Sequence, residues 1–568
     1  MAKHMDRATI AAVAFLAAFV AKADFSIDID LDGSPIRDVR QSTCGPIVGY
    51  AGCYMSGDNF KIPQDTYWFE EHADETSRAM REAGAWFQRM WSANAWFARR
   101  VPDTNPDPKK RYSPSNPDAA FKFWKSNGIK LLFTLEAWGG EKSKQEILTF
   151  VKWIVDNDYK DVVAGFELGN ESFYSDKYPS LAPIWTEIVL EIKKMWPDVK
   201  IGICISELYE NNPDLAQVRN RMLAEGKIER TTYFSASDHN RYSAQFIVAM
   251  SNCIDKISHV IYHAYGGETP YSCSYYGFQR FRNFCSAFPE LKGKKFWLTE
   301  VRLRSDEDNR CQRLFRESLC MAHYALTAIC QPDCDGFNHH QIFAQAGGIY
   351  QSNGKAWLVQ WRDEGPDYPD FRAPMGRPRL DIGSCGVMYR ILAEGIKTHP
   401  LVLQHGTSEE VGTEDTFFTS ARVMDQVYAR RRALKEGKSG WGVPKVDGEV
   451  EWVALTDARK NDLCFLMVNT KSTEQKVRIR AAGRWLAAPT YVTLSCPERF
   501  LDCREVPGDG KFWRQVSWED TQMGYGVIPM ARNEGLEPKS DAIEIEIAPH
   551  TVQSVTVMTR KPPKKKLP

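Results

Sequence analysis

Glu171 and Glu300 are the residues of this chain whose type and setting point most directly to chemistry. Glu171 closes the stretch Gly165-Phe166-Glu167-Leu168-Gly169-Asn170-Glu171. There the apolar run Asp161-Val162-Val163-Ala164-Gly165-Phe166 reads as a short buried strand with an Asn-Glu pair at its C-terminal tip. Glu300 repeats the design, with Lys295-Phe296-Trp297-Leu298-Thr299 closed by a carboxylate. Two carboxyl groups about 5–5.5 Å apart can cleave a glycosidic bond with retention: one donates a proton to the leaving oxygen, the other attacks the anomeric carbon. Their surroundings must then push their two pKa values apart. Glu171 and Glu300 are distant in sequence, so only a fold that gathers remote strand ends can pair them. A parallel β/α barrel does so, because all its strands end at one face.

The elements such a barrel needs are present. Apolar strand candidates fall at 46–50, 85–91, 129–136, 162–169, 199–205, 257–263, 295–301 and 336–341. Helix-like segments lie between them, at 74–83, 118–126, 144–157, 182–195, 243–253 and 309–330, with a last helix at 386–397. Eight such alternations fit a (β/α)8 barrel over 45–399 better than an open doubly wound sheet. No glycine-rich nucleotide fingerprint follows the first strand. Residues 400–447 are polar and charged and read as an insertion. Short alternating strands then dominate 448–560, at 451–455, 463–468, 476–479, 490–494, 542–547 and 552–558, which suggests a β-sandwich. The alternating segment 24–44 is a half-buried strand positioned to join that sandwich. Residues 561–568 form a basic tail expected to be disordered. The fold class is therefore α/β, a TIM barrel followed by a C-terminal β-sandwich.

Gly169-Asn170-Glu171 on the fourth strand, with Thr299-Glu300 ending the seventh, resembles the retaining glycoside hydrolases of clan A. It is most similar to the α-L-arabinofuranosidase and the heparanase/β-glucuronidase families. Both join a barrel to a sandwich whose last strands carry an apolar–Pro–x–Ser/Thr pattern, to which Ile547-Ala548-Pro549-His550-Thr551 is similar. The resemblance implies Glu171 as acid/base, Glu300 as nucleophile, and Asn170 as a contact of the sugar 2-hydroxyl. It also implies that Arg89 holds the nucleophile ionised, and that His263 and Tyr265 contact nucleophile and sugar. Trp138 after the third strand is a candidate stacking platform, and Glu136 and Glu167 are support residues. The chain departs from the pattern at strand eight, where Asn338-His339-His340-Gln341 stands in place of a tryptophan. The implied substrate is an oligo- or polysaccharide carrying an arabinofuranoside, β-glucuronide or β-galactoside, and a uronic acid would call on Arg241, Arg302 or Arg304. No cofactor or metal is implied. The alternative is an exported carbohydrate-binding protein on an inactive barrel.

The 568 residues are too many for one core. Equal counts of 73 basic and 73 acidic residues argue against nucleic acid or an anionic membrane as partner. Lys3, His4 and Arg7, the apolar run Ala8–Val20 and Ala21-Lys22-Ala23 read as a secretory signal peptide over 1–23, so a secreted or periplasmic protein is expected. In that setting the 14 cysteines admit disulfides, with Cys44/Cys53, Cys273/Cys285, Cys330/Cys334 and Cys496/Cys503 as close pairs and free buried thiols as the alternative. Cys330-x3-Cys334 with His339 and His340 also prompts a zinc test, although an exported cysteine pair more often crosslinks.

Overall fold

The computed structural model describes residues 23–41, 48–51, 87–98, 117–206, 238–266, 282, 285, 288–303, 315–340, 350–352, 380–382, 384–408, 411–412, 449–495, 526–528 and 540–562. Eight parallel strands close into a barrel. In order they are Val48–Ala51, Phe87–Met90, Lys130–Leu135, Val163–Leu168, Ile201–Cys204, His259–Gly266, Lys295–Leu303 and Cys334–His340. Each matches one of the eight apolar runs. The fourth strand, Val-Ala-Gly-Phe-Glu-Leu, is buried at every position, as a strand with helices outside and side chains inside must be.

The covering helices carry apolar stripes at helical spacing. In Glu141–Asp156 the buried residues are Ile147, Phe150, Val151 and Ile154. In Ala182–Met195 they include Trp185, Ile188, Val189 and Ile192, with a proline in the first turn where its missing N–H costs nothing. Aromatic side chains are prominent in this layer. Phe121 touches Trp124, Phe133, Phe150, Trp153 and Tyr159.

Two glycines let the barrel close around a tryptophan. A Cβ at Gly165 would lie 2.6 Å from Trp297 Cη2 and 2.7 Å from the Lys200 carbonyl oxygen, and one at Gly202 would lie 2.6 Å from Ile261 Cδ1. Trp297 stacks on His259 at 3.8 Å. His259 Nε2 in turn lies 3.0 Å from the fully buried carboxylate of Asp335, which also pairs with Lys200 at 3.2 Å. This polar floor seals the end of the barrel where the strands begin.

The C-terminal domain is two facing sheets. The larger takes Leu401–Thr407, Val450–Thr456, Asp462–Asn469, Thr551–Arg560 and Thr490–Ser495 in that spatial order. The smaller joins Phe25–Ile29 to Gln475–Ala481 in parallel, and Gln475–Ala481 to Ala542–Ile547 antiparallel. Ile27, Ile29, Trp452, Phe465, Val477, Ile479 and Val555 fill the space between. The outer face of the larger sheet packs on barrel helix Ser384–Thr398, where Gly395 admits Leu466 and Cys464.

Two expectations need correction. The sandwich does not begin at 448. Leu401–Thr407 is already one of its strands, hydrogen-bonded to Val450–Thr456, so the stretch from 400 is not an insertion throughout. Its polar end, Gln404 to Thr407, looks like a loop in isolation but is satisfied by strand pairing. Cys330 and Cys334 are not joined. Both are free and buried, one closing helix Phe315–Cys330 and the other opening the eighth strand. The other suggested pairs, helix 74–83, the signal segment and the 561–568 tail lie wholly or partly outside the described residues, and among those described no helix is long and apolar enough to cross a membrane.

Gly165→Ala is expected to lower stability by about 1–3 kcal/mol, because the new methyl group meets a backbone carbonyl that cannot move aside. Urea unfolding should show a lower midpoint at unchanged slope.

Candidate active site

The strand tips at the C-terminal face bring six of the expected residues, Arg89, Glu167, Asn170, Glu171, His263 and Glu300, into one polar cluster. Arg89, on the second strand, is its centre and is 4% exposed. Its Nε and one terminal nitrogen donate to both carboxylate oxygens of Glu167 on the fourth strand, at 2.5 and 2.9 Å. Its other terminal nitrogen donates to Glu300 on the seventh at 2.7 Å. A further N–H donates to Asn170 Oδ1 at 2.6 Å. One guanidinium thus grips two carboxylates and an amide in the planar fork geometry that lysine lacks. Burial works against its charge, but Glu167 and Glu300 outweigh burial and raise its pKa. Glu167 is fully buried; burial pushes its carboxyl up, and Arg89 and His263 bring it down below the usual range.

His263, on the sixth strand, bridges the second half of the cluster. Its Nδ1 lies 2.8 Å from Glu171 Oε1 and 3.6 Å from Glu300 Oε2, and its Nε2 lies 3.0 Å from Thr299 Oγ1. Burial disfavours the imidazolium, yet Glu300, Glu167 and Glu171 outweigh it and raise His263 to about 9. In its protonated form the ring donates from Nδ1 to Glu171 and from Nε2 to the Thr299 hydroxyl. A β-bulge makes this possible. Tyr262 pairs with Leu298 and His263 with Glu300, so Thr299 is the extra residue. Thr299 and Glu300 consequently both bear on His263.

Glu171 is presented by a tight turn. Gly169 has φ 79°, and a Cβ there would collide with the Ser172 hydroxyl. Glu171 itself has φ 46° in the left-handed region, which costs a non-glycine residue about 1–2 kcal/mol. The strained turn lifts the carboxylate clear of the strand end, leaving it partly exposed while Glu167 and Glu300 stay buried. Carboxylate oxygens of Glu171 and Glu300 and a ring nitrogen of His263 all lie within 4.8 Å of one another. Glu167, Cys204 and His263 form a second such trio. Three carboxylates, Glu167, Glu171 and Glu300, here face two cationic side chains, Arg89 and His263.

Of the remaining expected residues, Trp138 sits just past the third strand and is 44% exposed, open to a flat ligand. Tyr265 lies on the sixth strand, but its side chain is outside the described residues, as are those of Arg241, Arg302 and Arg304. The suggested zinc grouping does not assemble among the described residues. His339 Nδ1 instead faces the Tyr389 hydroxyl at 3.3 Å, on the helix side of the barrel. Several contributors were not visible in sequence. Thr134 Oγ1 donates to Glu167 at 2.8 Å. Tyr174, 53% exposed, lies shortly after Glu171 and is a second open aromatic. Its position three residues after a candidate acid was the available signal.

No protein-family model matches the chain, and no curated protein matches it. Solved structures do. The chain is similar to the α-L-arabinofuranosidase of Thermotoga maritima in its arabinose complex, at 12% identity and TM-score 0.58, with 94% of this chain and 100% of that one covered. It is similar to a family 51 α-L-arabinofuranosidase from Bifidobacterium longum at 10% identity and TM-score 0.54, over 94% and 100%. It is also similar to a monomeric β-xylosidase from Caulobacter crescentus at 10% identity and TM-score 0.50, over 94% and 99%. These likenesses establish a shared barrel-and-sandwich fold.

The raised pKa of His263 has a consequence for stability. Its folded value of about 9 exceeds the ordinary 6.5, so its contribution is fully present below pH 6.5 and is lost as pH rises through 9. Chemical unfolding of the wild type should show stability falling across that window. His263→Gln should flatten the fall.

Proposed function

We propose that the protein is a retaining glycosidase acting on an extracellular glycan by double displacement. The observation that carries this reading is the approach of the Glu171 and Glu300 carboxylates within 4.8 Å, with Arg89 bound to Glu300 and not to Glu171. Inverting enzymes keep their carboxyl groups about 6.5–9.5 Å apart to admit a water and retaining enzymes about 5–5.5 Å apart, and a carboxylate oxygen of each residue here lying within 4.8 Å supports the retaining reading.

In the first step a Glu300 oxygen attacks the anomeric carbon while the glycosidic C–O bond breaks. The Glu171 carboxyl gives its proton to the departing oxygen, and a glycosyl ester on Glu300 remains. In the second step Glu171, now a carboxylate, takes a proton from water as the water oxygen attacks the same carbon. The ester bond breaks, Glu300 is freed as a carboxylate, and Glu171 is again protonated. Arg89 favours the ionised form of Glu300 before attack and after release. His263⁺ lies beside both carboxyl groups, where it stabilises Glu300 and orients Glu171. Asn170 accepts from Arg89 through Oδ1, so its amide N–H groups are left to donate to a sugar hydroxyl. Trp138 offers a face for a pyranose or furanose ring.

The fold likeness to two α-L-arabinofuranosidases favours an α-L-arabinofuranoside as the first sugar to try, with the β-xyloside next. A β-glucuronide or β-galactoside follows from the sequence motif.

The purified protein should cleave one member of a panel of aryl α-L-arabinofuranoside, β-xyloside, β-glucuronide, β-galactoside and β-glucoside. On that substrate Glu300→Ala should lose activity by roughly 10⁴-fold or more. Azide should restore turnover to Glu171→Ala, because a small anion can resolve the glycosyl ester without a general base. If the panel is inert, natural polysaccharides come next. Activity that survives loss of Glu300 overturns the two-carboxylate mechanism. Binding of oligosaccharide without turnover of any of these substrates favours the non-catalytic alternative.

Export belongs to the same reading. The basic start, apolar run and small-x-small site should direct the chain out of the cytoplasm, with cleavage after Ala23. N-terminal sequencing of the secreted protein should begin at Asp24, and recovery of an intact Met1 terminus would reject it.

A further inference from the structure

Glu136 is a fourth carboxyl group at the C-terminal face, beside Glu167, Glu171 and Glu300, and the double displacement does not use it. It follows the third strand directly, beside the tip of the fourth, where the Gly169 N–H donates to the Leu135 carbonyl at 2.9 Å. Its backbone is held on both sides by one side chain. The Glu136 N–H donates to Asn94 Oδ1 at 2.8 Å, and Asn94 Nδ2 donates to the Glu136 carbonyl at 3.2 Å. With the main chain pinned, the carboxylate is aimed. The indole N–H of Trp91 donates to its Oε1 at 3.2 Å, and the backbone N–H of Asn170 faces it. Trp91 follows the second strand, whose last turn holds Arg89, and Asn170 lies in the strained turn that presents Glu171. Glu136 therefore links Trp91, just past the strand that carries Arg89, to the turn after strand four that presents Glu171.

We propose that Glu136 is a positioning residue whose ionised carboxylate clasps the Asn170–Glu171 turn to Trp91, and that full activity requires that clasp. The proposal rests on the glycosidase reading for its effect on turnover, but not for the clasp itself. Hydrogen bonds to a carboxylate are roughly twice as strong as those to a neutral acid, so losing the charge loosens both contacts at once. A turn that already bears left-handed strain at Glu171 is the part of the site with most to lose from such loosening.

The charged groups facing Glu136 are Glu167 from strand four and Arg89 from strand two. Burial foremost pushes its carboxyl up; the Trp91 bond lowers it, Glu167 raises it, and the Asn170 N–H and Arg89 lower it, leaving it at about 7. The clasp should therefore close as pH rises through neutrality. This is opposite in sign to the effect of a catalytic acid, which loses its proton as pH rises.

The test uses the full-length protein and its Glu136→Gln and Glu136→Ala variants. For each, kcat is followed from about pH 5 to about pH 9 on the aryl glycoside that the wild type cleaves best. The wild type should gain kcat through about pH 7. Glu136→Gln keeps an oxygen for Trp91 but cannot ionise, so this rise should vanish and kcat at the optimum should fall roughly 10-fold, with KM little changed. Glu136→Ala should fall further, and Gln should recover part of the loss, at equal thermal midpoints. In parallel, the Trp91 indole N–H is followed by NMR on tryptophan-labelled protein, assigned by Trp91→Phe. Its signal should shift with a midpoint near 7 in the wild type and stay still in Glu136→Gln. A rise in kcat that persists in Glu136→Gln overturns the catalytic role. A Trp91 signal that does not titrate, or titrates in both proteins, overturns the clasp. If the wild type cleaves none of the substrates, the glycosidase reading fails by itself and the Trp91 signal alone decides the clasp.

Discussion

The site depends on one guanidinium. Arg89 is buried, and so are the carboxylates of Glu167 and Glu300 that flank it. Removing either acid would leave a cation short of its counter-charge; removing Arg89 would strand two anions away from water, a cost of several kcal/mol for each such group. The three residues come from strands two, four and seven, so their geometry holds only if the whole circle of strands closes in register. A slip of one residue in any of these strands would turn its side chain from the lumen to the helix layer. The ion-pair network and the barrel thus specify one another. His263 extends the network to Glu171, and the bulge at Thr299 is the local adjustment that lets one strand serve two contacts.

Much of this was legible in the sequence, for an identifiable reason. Parallel strands buried on both faces tend to be near-continuous apolar runs, as in Lys130–Leu135 and Ile201–Cys204, and with the β–α alternation around them the eight barrel strands could be located to within a few residues. A carboxylate at the end of such a run stands out, which is why Glu171 and Glu300 could be named. Arg89 and His263 were legible through the family resemblance, but their partners were not. Whether Arg89 meets Glu167, Glu300 or both depends on the shear of the barrel. The hydroxyls of Thr134 and Thr299 are chemically commonplace and acquire a role only through position. Glu136 could be named as a support residue, but not what it supports, because its contacts with Trp91 and Asn170 span three strand ends. Leu401–Thr407 was missed because its second half is polar, and only the neighbouring strand reveals it as part of a sheet. The cysteines show the same limit: Cys330 and Cys334 are near in sequence, yet the helix end and the strand start that carry them leave both thiols buried and unjoined.

The two domains share their packing rather than touching at a seam. The sandwich residues Cys464, Leu466, Val468 and Val552 belong to the same apolar core as the barrel helices. At the joint, His323 on helix Phe315–Cys330 meets Glu451 of the sandwich at 2.7 Å, both fully buried. Two groups of the described aromatic residues contrast with each other. Phe121, Trp124, Phe133 and Phe150 are spent on the helix layer, whereas Trp138 and Tyr174 stay open at the face where the carboxylates stand.

The first of the described strands, Phe25–Ile29, finds its partner at Gln475–Ala481, and the backbone N–H of Lys476 bonds to Asp24 across 452 residues of sequence. During synthesis that opening strand therefore emerges long before the edge it completes. For most of the time the ribosome needs to make the barrel, Ile27 and Ile29 have no core to enter. The smaller sheet can form only once Gln475–Ala481 and Ala542–Ile547 have been made, which makes closing the sandwich a late, long-range event in folding. Until then the chain carries an apolar strand with an unpaired edge, the kind of surface that invites association with other chains. Maturation of this protein is in that sense a race between intramolecular closure and aggregation, set by where its first strand was placed.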